Sequence, residues 1–288
     1  MKRARGALLR MRMGILFSVL LPMLLGVGCS ERGGIRRVEW PVMGTVAALQ
    51  WRPGGDFSPS ACQERTRETF REVERLLNAH DPDSEIRRLA ALPDAEVLAG
   101  CDPRMRPCYA AAFELRKATG GAFNPRWRGA GTLDLGGIAK GFAVDLAYDA
   151  VRRPQTEGGG MLVDLGGNLR SVGDEWKVGI MGPDGQGSCR TVLLRPAEAV
   201  ATSAEYYRGR HIGDGRTGVP VSNDVASVTV VATTAMLADG LSTSLFVLGP
   251  EDGRDVVRRY AKDVVAVLWT LRDDRQVEYD PDCRLSSR

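Results

Sequence analysis

Thr132-Leu-Asp-Leu-Gly-Gly-Ile-Ala-Lys-Gly-Phe-Ala-Val-Asp145 reads as an apolar strand that runs into paired glycines, a lysine and then an apolar pattern of helical period. Such a join suits the gripping of phosphate. Glycines let the backbone approach a ligand closely, a helix start offers N–H groups and the positive end of a dipole, and Lys140 supplies a mobile charge. A plain tight turn has the same composition, and spacing alone leaves both readings open.

Downstream, Thr233-Thr-Ala-Met-Leu-Ala-Asp-Gly-Leu-Ser-Thr-Ser-Leu-Phe-Val-Leu-Gly249 sets one acid and several hydroxyls among apolar residues at helical spacing. Asp239 and Thr243 are four apart, so a helix presents both oxygens on one face. That pair suits a hard cation such as magnesium, which keeps waters and takes substrate phosphates as further ligands. The alternative is a solvated helix acid beside a hydroxyl at the core edge.

Around these two stretches the chain alternates helical and strand patterns without a strict βαβ order, which predicts an α+β fold in one large domain. Val38 to Trp51 reads as extended chain broken near Pro41 and Gly44. Phe70, Val73, Leu76 and Leu77 mark an amphipathic helix over Ser60 to Ala79, and Pro107 to Thr119 opens with proline and closes at Gly120-Gly121, as a helix does. Helices are also predicted over Lys140 to Val151, Thr233 to Leu248 and Glu251 to Ala261. Strands are predicted at Met161 to Gly173 about a glycine turn, and at Trp176 to Ile180, Arg190 to Leu194, Ala199 to Ser203, Val225 to Val231, Val264 to Thr270 and Gln276 to Tyr279. The two Leu-Gly-Gly turns, at 135 to 137 and 165 to 167, hint at an internal duplication.

The N-terminus is a targeting segment rather than fold. Lys2, Arg3, Arg5, Arg10 and Arg12 form a basic head before an uncharged apolar run from Met13 to Gly28, the pattern of a secretory signal. Leu25-Gly-Val-Gly-Cys29 resembles the lipobox of bacterial lipoproteins, although Gly26 stands where an aliphatic residue is usual. Residues 1–28 are thus expected to be a lipoprotein signal, Cys29 the lipidated first residue, 29–37 a tether and 38–288 the domain. The expected location is the periplasmic face of a bacterial envelope membrane. Ordinary cleavage and an uncleaved anchor are the rivals, and the run is short for a span. The net charge of +3 is inflated by the basic head, and no basic block points to nucleic acid. Six cysteines include Cys62, Cys101, Cys108, Cys189 and Cys283 besides Cys29. An exported chain permits disulfides, and Cys101 with Cys108 would close a short loop. Neither of the two histidines, His80 and His211, has a zinc-type spacing to cysteines.

Eight pieces occur in one order: Met43-Gly44-Thr45, Asp83-Ser84-Glu85-Ile86, Asp134 to Gly141, Leu165-Gly-Gly167, Thr202-Ser203, His211 to Val221, Ser227-Val-Thr-Val230 and Ala238 to Thr243. In this series the chain resembles the ApbE family of FAD:protein FMN transferases over most of residues 38 to 250. The resemblance implies a roll-like α+β fold, magnesium-dependent cleavage of FAD with release of AMP, and attachment of FMN to a threonine of an exported acceptor flavoprotein. It further implies that Asp239, Thr243 and the Gly137 carbonyl hold the metal, and that Met43, His80, Ala122, Phe123, Asn124, Asp134, Lys140 and Ile212 contact FAD. Cleaving a pyrophosphate requires charge neutralisation, to which Lys140 and helix-start amides would contribute. His211 is the candidate to orient or accept the proton of the acceptor hydroxyl, with Asp214 second. A loop histidine that only hydrogen-bonds flavin or backbone is the other reading of His211.

Several positions depart from the family pattern. Asp214-Gly-Arg-Thr-Gly218 replaces a proline turn by a glycine one, predicting a looser loop. Gly240 stands where alanine is common, at a helix-propensity cost of roughly 1 kcal/mol. His80 replaces an aromatic residue. Phe123-Asn-Pro-Arg-Trp-Arg-Gly-Ala-Gly131 runs almost directly into Asp134, where many members carry an insertion, so much of the roof over the ligand is expected to be missing. Two other activities share these motifs: a magnesium-dependent FAD pyrophosphatase releasing FMN and AMP, and a flavin-binding lipoprotein without turnover.

Overall fold

The computed structural model describes residues 30–32, 34–54, 58–152, 159–182, 185, 187–205 and 211–287. The expected signal segment and Cys29 lie outside the described residues. The chain opens with three strands, β1 (Ser30–Arg32), β2 (Ile35–Val42) and β3 (Thr45–Trp51). Residues 30–32 and 35–37 are therefore sheet rather than the tether expected over 29–37: Ser30 pairs with Arg37 and Arg32 with Ile35. Val38, Trp40 and Val42 of β2 alternate into the core, and the antiparallel ladder continues back from them.

Four helices follow, α1 (Pro59–Leu77), α2 (Glu85–Leu89), α3 (Asp94–Gly100) and α4 (Arg106–Ala118), then α5 (Ala139–Val151). α1 begins where Ser58 accepts a hydrogen bond from the Ala61 amide and Pro59 fits the first turn. Its Phe70, Val73, Leu76 and Leu77 are buried, as their spacing predicts. The chain continues with β4 (Met161–Leu165), β5 (Asn168–Val172), β6 (Trp176–Met181), β7 (Ser188–Leu194), β8 (Ala199–Ala204), β9 (Gly213–Asp214), β10 (Val219–Pro220) and β11 (Val225–Ala232). It ends with α6 (Ala235–Arg259), β12 (Val264–Leu271), β13 (Gln276–Tyr279) and β14 (Leu285–Ser287).

Nine strands form one antiparallel sheet in the order β1-β2-β3-β4-β5-β8-β11-β12-β13, and β14-β7-β6 form a smaller one. The parity of side chains sorts them between two cores. Val228, Val230 and Ala232 of β11 join the main core beneath the helices, whereas Val231 joins Leu162, Trp176, Val192 and Leu194 between the two sheets. Helices, large sheet and small sheet are thus stacked layers of a single α+β domain.

Three sequence expectations change. Thr132–Leu135 is not a strand; its Leu133 and Leu135 are buried while the Asp134 amide donates to the Pro125 carbonyl at 2.8 Å. The two Leu-Gly-Gly turns are not a duplicated unit. Gly166 and Gly167 have φ of 61° and 86° in the β4–β5 hairpin, whereas Gly136 and Gly137 enter α5 without positive φ. The two helices expected at 233–248 and 251–261 are both present, as the halves of α6 on either side of a non-helical break at Gly249, where φ is 73° and Pro250 follows. Cys101 and Cys108 are both free thiols, buried, and burial pushes both pKa values up. No helix among the described residues is long and apolar enough to cross a membrane.

Candidate active site

Two helices and two loops build the site. Asp145 of α5 accepts from the Ala235 and Met236 amides at 2.8 and 2.9 Å, and so caps α6 alongside Thr234. Arg170 donates to the same carboxylate at 2.7 Å, while burial pushes the Asp145 pKa up. The two helices meet closely at Gly141: a Cβ there would lie 2.1 Å from the Ala235 carbonyl oxygen. Only glycine permits this crossing. Gly240 has a similar reason, since a Cβ would sit 2.4 Å from Leu115 Cδ1. The residue that weakens the helix is what lets α6 settle on α4.

The crossing brings the predicted ligands together. Asp239 is 3% exposed, so it is not a solvated acid. Its Oδ2 accepts from the Gly141 amide at 2.9 Å, and its Oδ1 lies 3.3 Å from Lys140 Nζ. Lys140 also donates to the Gly136 carbonyl at 3.2 Å. Thr243 Oγ1 donates to the Gly137 carbonyl at 3.3 Å and lies 3.1 Å from Ser203 Oγ. A Cβ on Gly137 would come within 2.9 Å of Thr243 Cγ2, so glycine is what allows that carbonyl to reach the hydroxyl. The helix-start amides are more committed than the sequence suggests: Ile138 and Ala139 donate to the Leu135 carbonyl and Gly141 to Asp239.

Gly136, Gly137, Lys140, Ser203, Asp239 and Thr243 line a cavity of about 820 Å³ together with His80, Ala122, Phe123, Asn124, Asp134, His211 and Ile212. Two predicted residues are not on its lining. Met43 packs against the main core in the β2–β3 turn at φ 51°, its amide donating to Glu74 at 2.8 Å. Asp214 is held by Arg216 at 2.7 Å, and that guanidinium keeps its carboxyl below the usual range. A carboxylate so occupied is a poor base.

The loop carrying Asp214 is pinned rather than loose. The Gly215 amide donates to the Ala122 carbonyl at 3.0 Å, and Asn124 Nδ2 donates to the Gly215 carbonyl at 3.1 Å. A Cβ on Gly215 would lie 2.3 Å from both Asn124 Cβ and the Gly121 oxygen. Glycine buys close packing here. The expected gap in the roof is also partly filled, by Trp127 and Arg128, which line the cavity. Trp127 Nε1 donates to Asp134 Oδ2 at 3.2 Å, and the ring presses on Gly213, where a Cβ would meet it at 2.2 Å. Neither residue was singled out from the sequence; the signal available was an isolated tryptophan between two arginines just before a motif aspartate. The lining also includes Val178 to Met181 of β6 and Thr202 to Ala204 of β8.

No group of three His, Cys, Asp or Glu side chains suited to a metal occurs among the described residues. One carboxylate, one hydroxyl and one carbonyl remain as a hard-oxygen set, which fits magnesium better than softer ions.

A sequence model of the ApbE family matches residues 43–130 and 127–269. The chain belongs to the ApbE family. Similar curated proteins include the FAD:protein FMN transferases of Klebsiella pneumoniae (strain 342), 36% identical over 152 residues, and of Haemophilus influenzae (strain ATCC 51907 / DSM 11121 / KW20 / Rd), 34% over 157. Each match covers 49% of this chain, and 46% and 44% of the respective relative. The chain thus spans under half the length of the curated relatives it matches. The flavin transferase ApbE from Vibrio cholerae superposes with a TM-score of 0.67 at 25% identity, covering 85% of this chain and 97% of that one. The ApbE protein of Thermotoga maritima gives 0.71 at 24%, covering 84% and 96%, and shares the fold over that part of the chain.

Proposed function

We propose that this ApbE-family chain is a magnesium-dependent FAD:protein FMN transferase. It would attach FMN through its phosphate to a threonine hydroxyl of an exported flavoprotein and release AMP. The observation that carries the reading is the meeting of Asp239, Thr243 and the Gly137 carbonyl with Lys140 on one cavity wall. The names of the curated relatives supply the class of reaction.

Asp239, Thr243 and Gly137 would hold the metal, which when bound supplies Lewis-acid stabilisation of pyrophosphate charge. Lys140 neutralises phosphate charge beside the glycine turn, where Gly136 and Gly137 offer no side chain to obstruct approach. Asp134 accepts from the Gly136 amide at 2.9 Å and so fixes that turn. His211 takes the proton of the acceptor hydroxyl, whose oxygen bonds to the FMN phosphorus as the bond to the AMP oxygen breaks. Phe123, Ile212 and Trp127 supply apolar surface for the flavin. Export and lipidation at Cys29 complete the reading and set the reaction at the periplasmic face of a membrane.

The test incubates the chain with FAD and magnesium, with and without periplasmic extract of its source, and scans a denaturing gel for flavin fluorescence. A fluorescent band that requires both FAD and metal supports the transferase. Free FMN and AMP without a band would replace it by the pyrophosphatase, and neither product by a binding protein. Cys29→Ser is expected to release the chain from membranes; retention would defeat the lipid anchor.

A further inference from the structure

We propose that Arg128 is a second phosphate-binding cation, gripping the end of a nucleotide pyrophosphate remote from Lys140. This rests on the FAD reading above and adds a substrate-positioning residue to it.

The glycine turn has a cation at each end. Along the cavity wall, Arg128 Nε lies 3.6 Å from Asp134 Oδ2, and Asp134 Oδ1 accepts from the Gly136 amide at 2.9 Å. The Gly136 carbonyl accepts from Lys140 at 3.2 Å, and Lys140 faces Asp239 at 3.3 Å. Arg128, Asp134, Gly136, Gly137, Lys140 and Asp239 all line the cavity. A ligand with two adjacent phosphates laid over the bare glycines would therefore meet a cation on either side.

Arg128 is placed for this but not committed elsewhere. Each Asp134 oxygen already accepts a neutral N–H, from Gly136 and from Trp127, so the carboxylate does not depend on the guanidinium. Its 3.6 Å contact is beyond hydrogen-bond length. The guanidinium lies over the Trp127 ring, 4.2 Å from its centroid, and the side chain is 57% exposed. The indole, fixed against Gly213 and Asp134, is a rigid shelf for a mobile head. The neighbouring arginines differ. Arg126 donates to Asp94 and to the carbonyls of Ala90, Leu92 and Thr132, and Arg216 is bound by Asp214. Those two serve the loops, whereas Arg128 keeps its donors for a ligand, and a guanidinium matches phosphate oxygens in bidentate fashion.

The test is calorimetric titration of the full-length chain in mild detergent with magnesium, using FAD, ADP and riboflavin on wild type, Arg128→Ala and Arg128→Lys. The exposed position leaves the melting temperature unchanged. Arg128→Ala is expected to weaken FAD and ADP by about tenfold or more, to leave riboflavin, which has no phosphate, unchanged, and to be partly rescued by lysine. ADP and FAD binding as in wild type, or an equal loss for riboflavin, overturns the assignment. Wild type that shows this pattern but transfers no FMN defeats the transferase reading and leaves Arg128 in its role; wild type that binds neither ADP nor FAD defeats both.

Discussion

Gly141 and Asp239 lock to each other: the glycine amide donates to the carboxylate at 2.9 Å, and a Cβ on the glycine would lie 2.7 Å from Asp239 Cβ. The same contact that aims the acid therefore forbids any side chain at 141. Gly141→Ala is expected to cost at least the upper part of the ~1–3 kcal/mol typical of overpacking, because the nearest atom is backbone. Urea denaturation measures this. A loss under about 0.5 kcal/mol would show that α5 and α6 can separate without penalty.

Asp239→Asn keeps the shape and the acceptor oxygen for Gly141 but removes the charge facing Lys140. On the proposed transferase reading, FMN transfer should fall at least about a hundredfold, since the proposed charged ligand and the balance of the lysine are lost together. Transfer rates at saturating magnesium, set beside melting curves, separate this from unfolding. Unchanged rates would remove Asp239 from the proposed metal site.

Thr243→Val removes the hydroxyl that meets the Gly137 carbonyl and Ser203. A neutral ligand contributes less than a charged one, so the expected loss is smaller, about tenfold, with a higher magnesium requirement. Thr243→Ser should restore most of it. A loss equal to that of Asp239→Asn would mean the hydroxyl does more than assist the carboxylate.

Gly215→Ala forces apart the loops held by Ala122 and Asn124. On the proposed reading, the KM for FAD should rise by about tenfold while kcat changes less, because the wall carrying Asn124 moves and Asp239 and Thr243 do not. Steady-state kinetics over FAD concentration test this, and a kcat effect alone would argue against it.

Asp164 is half-buried in β4, and desolvation raises its pKa against the Gly167 amide and Arg37. A carboxyl whose folded pKa is raised contributes stability below its unfolded pKa and loses it as pH rises through the folded value. Asp164→Asn should therefore melt higher than wild type at pH 7–8, by about 2–4 °C for each kcal/mol relieved, and the gap should close near pH 4. Melting curves across that range suffice, and a gap that widens in acid would reverse the sign.

Most of the longer helices and strands were legible because hydrophobic period and punctuation agree there, as at Phe70 in α1 and Pro107 in α4, whereas the short α2 and α3 carry too few turns to show a period. So was the Asp239–Thr243 pair, since a four-residue spacing fixes the face. What the sequence hid were effects set by neighbours distant along the chain. Gly215 and Gly240 read as weak points, yet Asn124 and Leu115 show them to be close contacts. Thr132–Leu135 has strand composition but no partner strand in the sheet. Trp127 carries no local period at all; only its ring against Gly213 shows its place in the site.

The pairing of Ser30 with Arg37 bears on reach. A lipid on Cys29 would leave one peptide unit, roughly 3.5 Å, between bilayer and sheet. On the proposed reading, the enzyme would work on a short leash, held flush with the headgroups, and would modify only acceptors that bring their threonine down to the membrane surface.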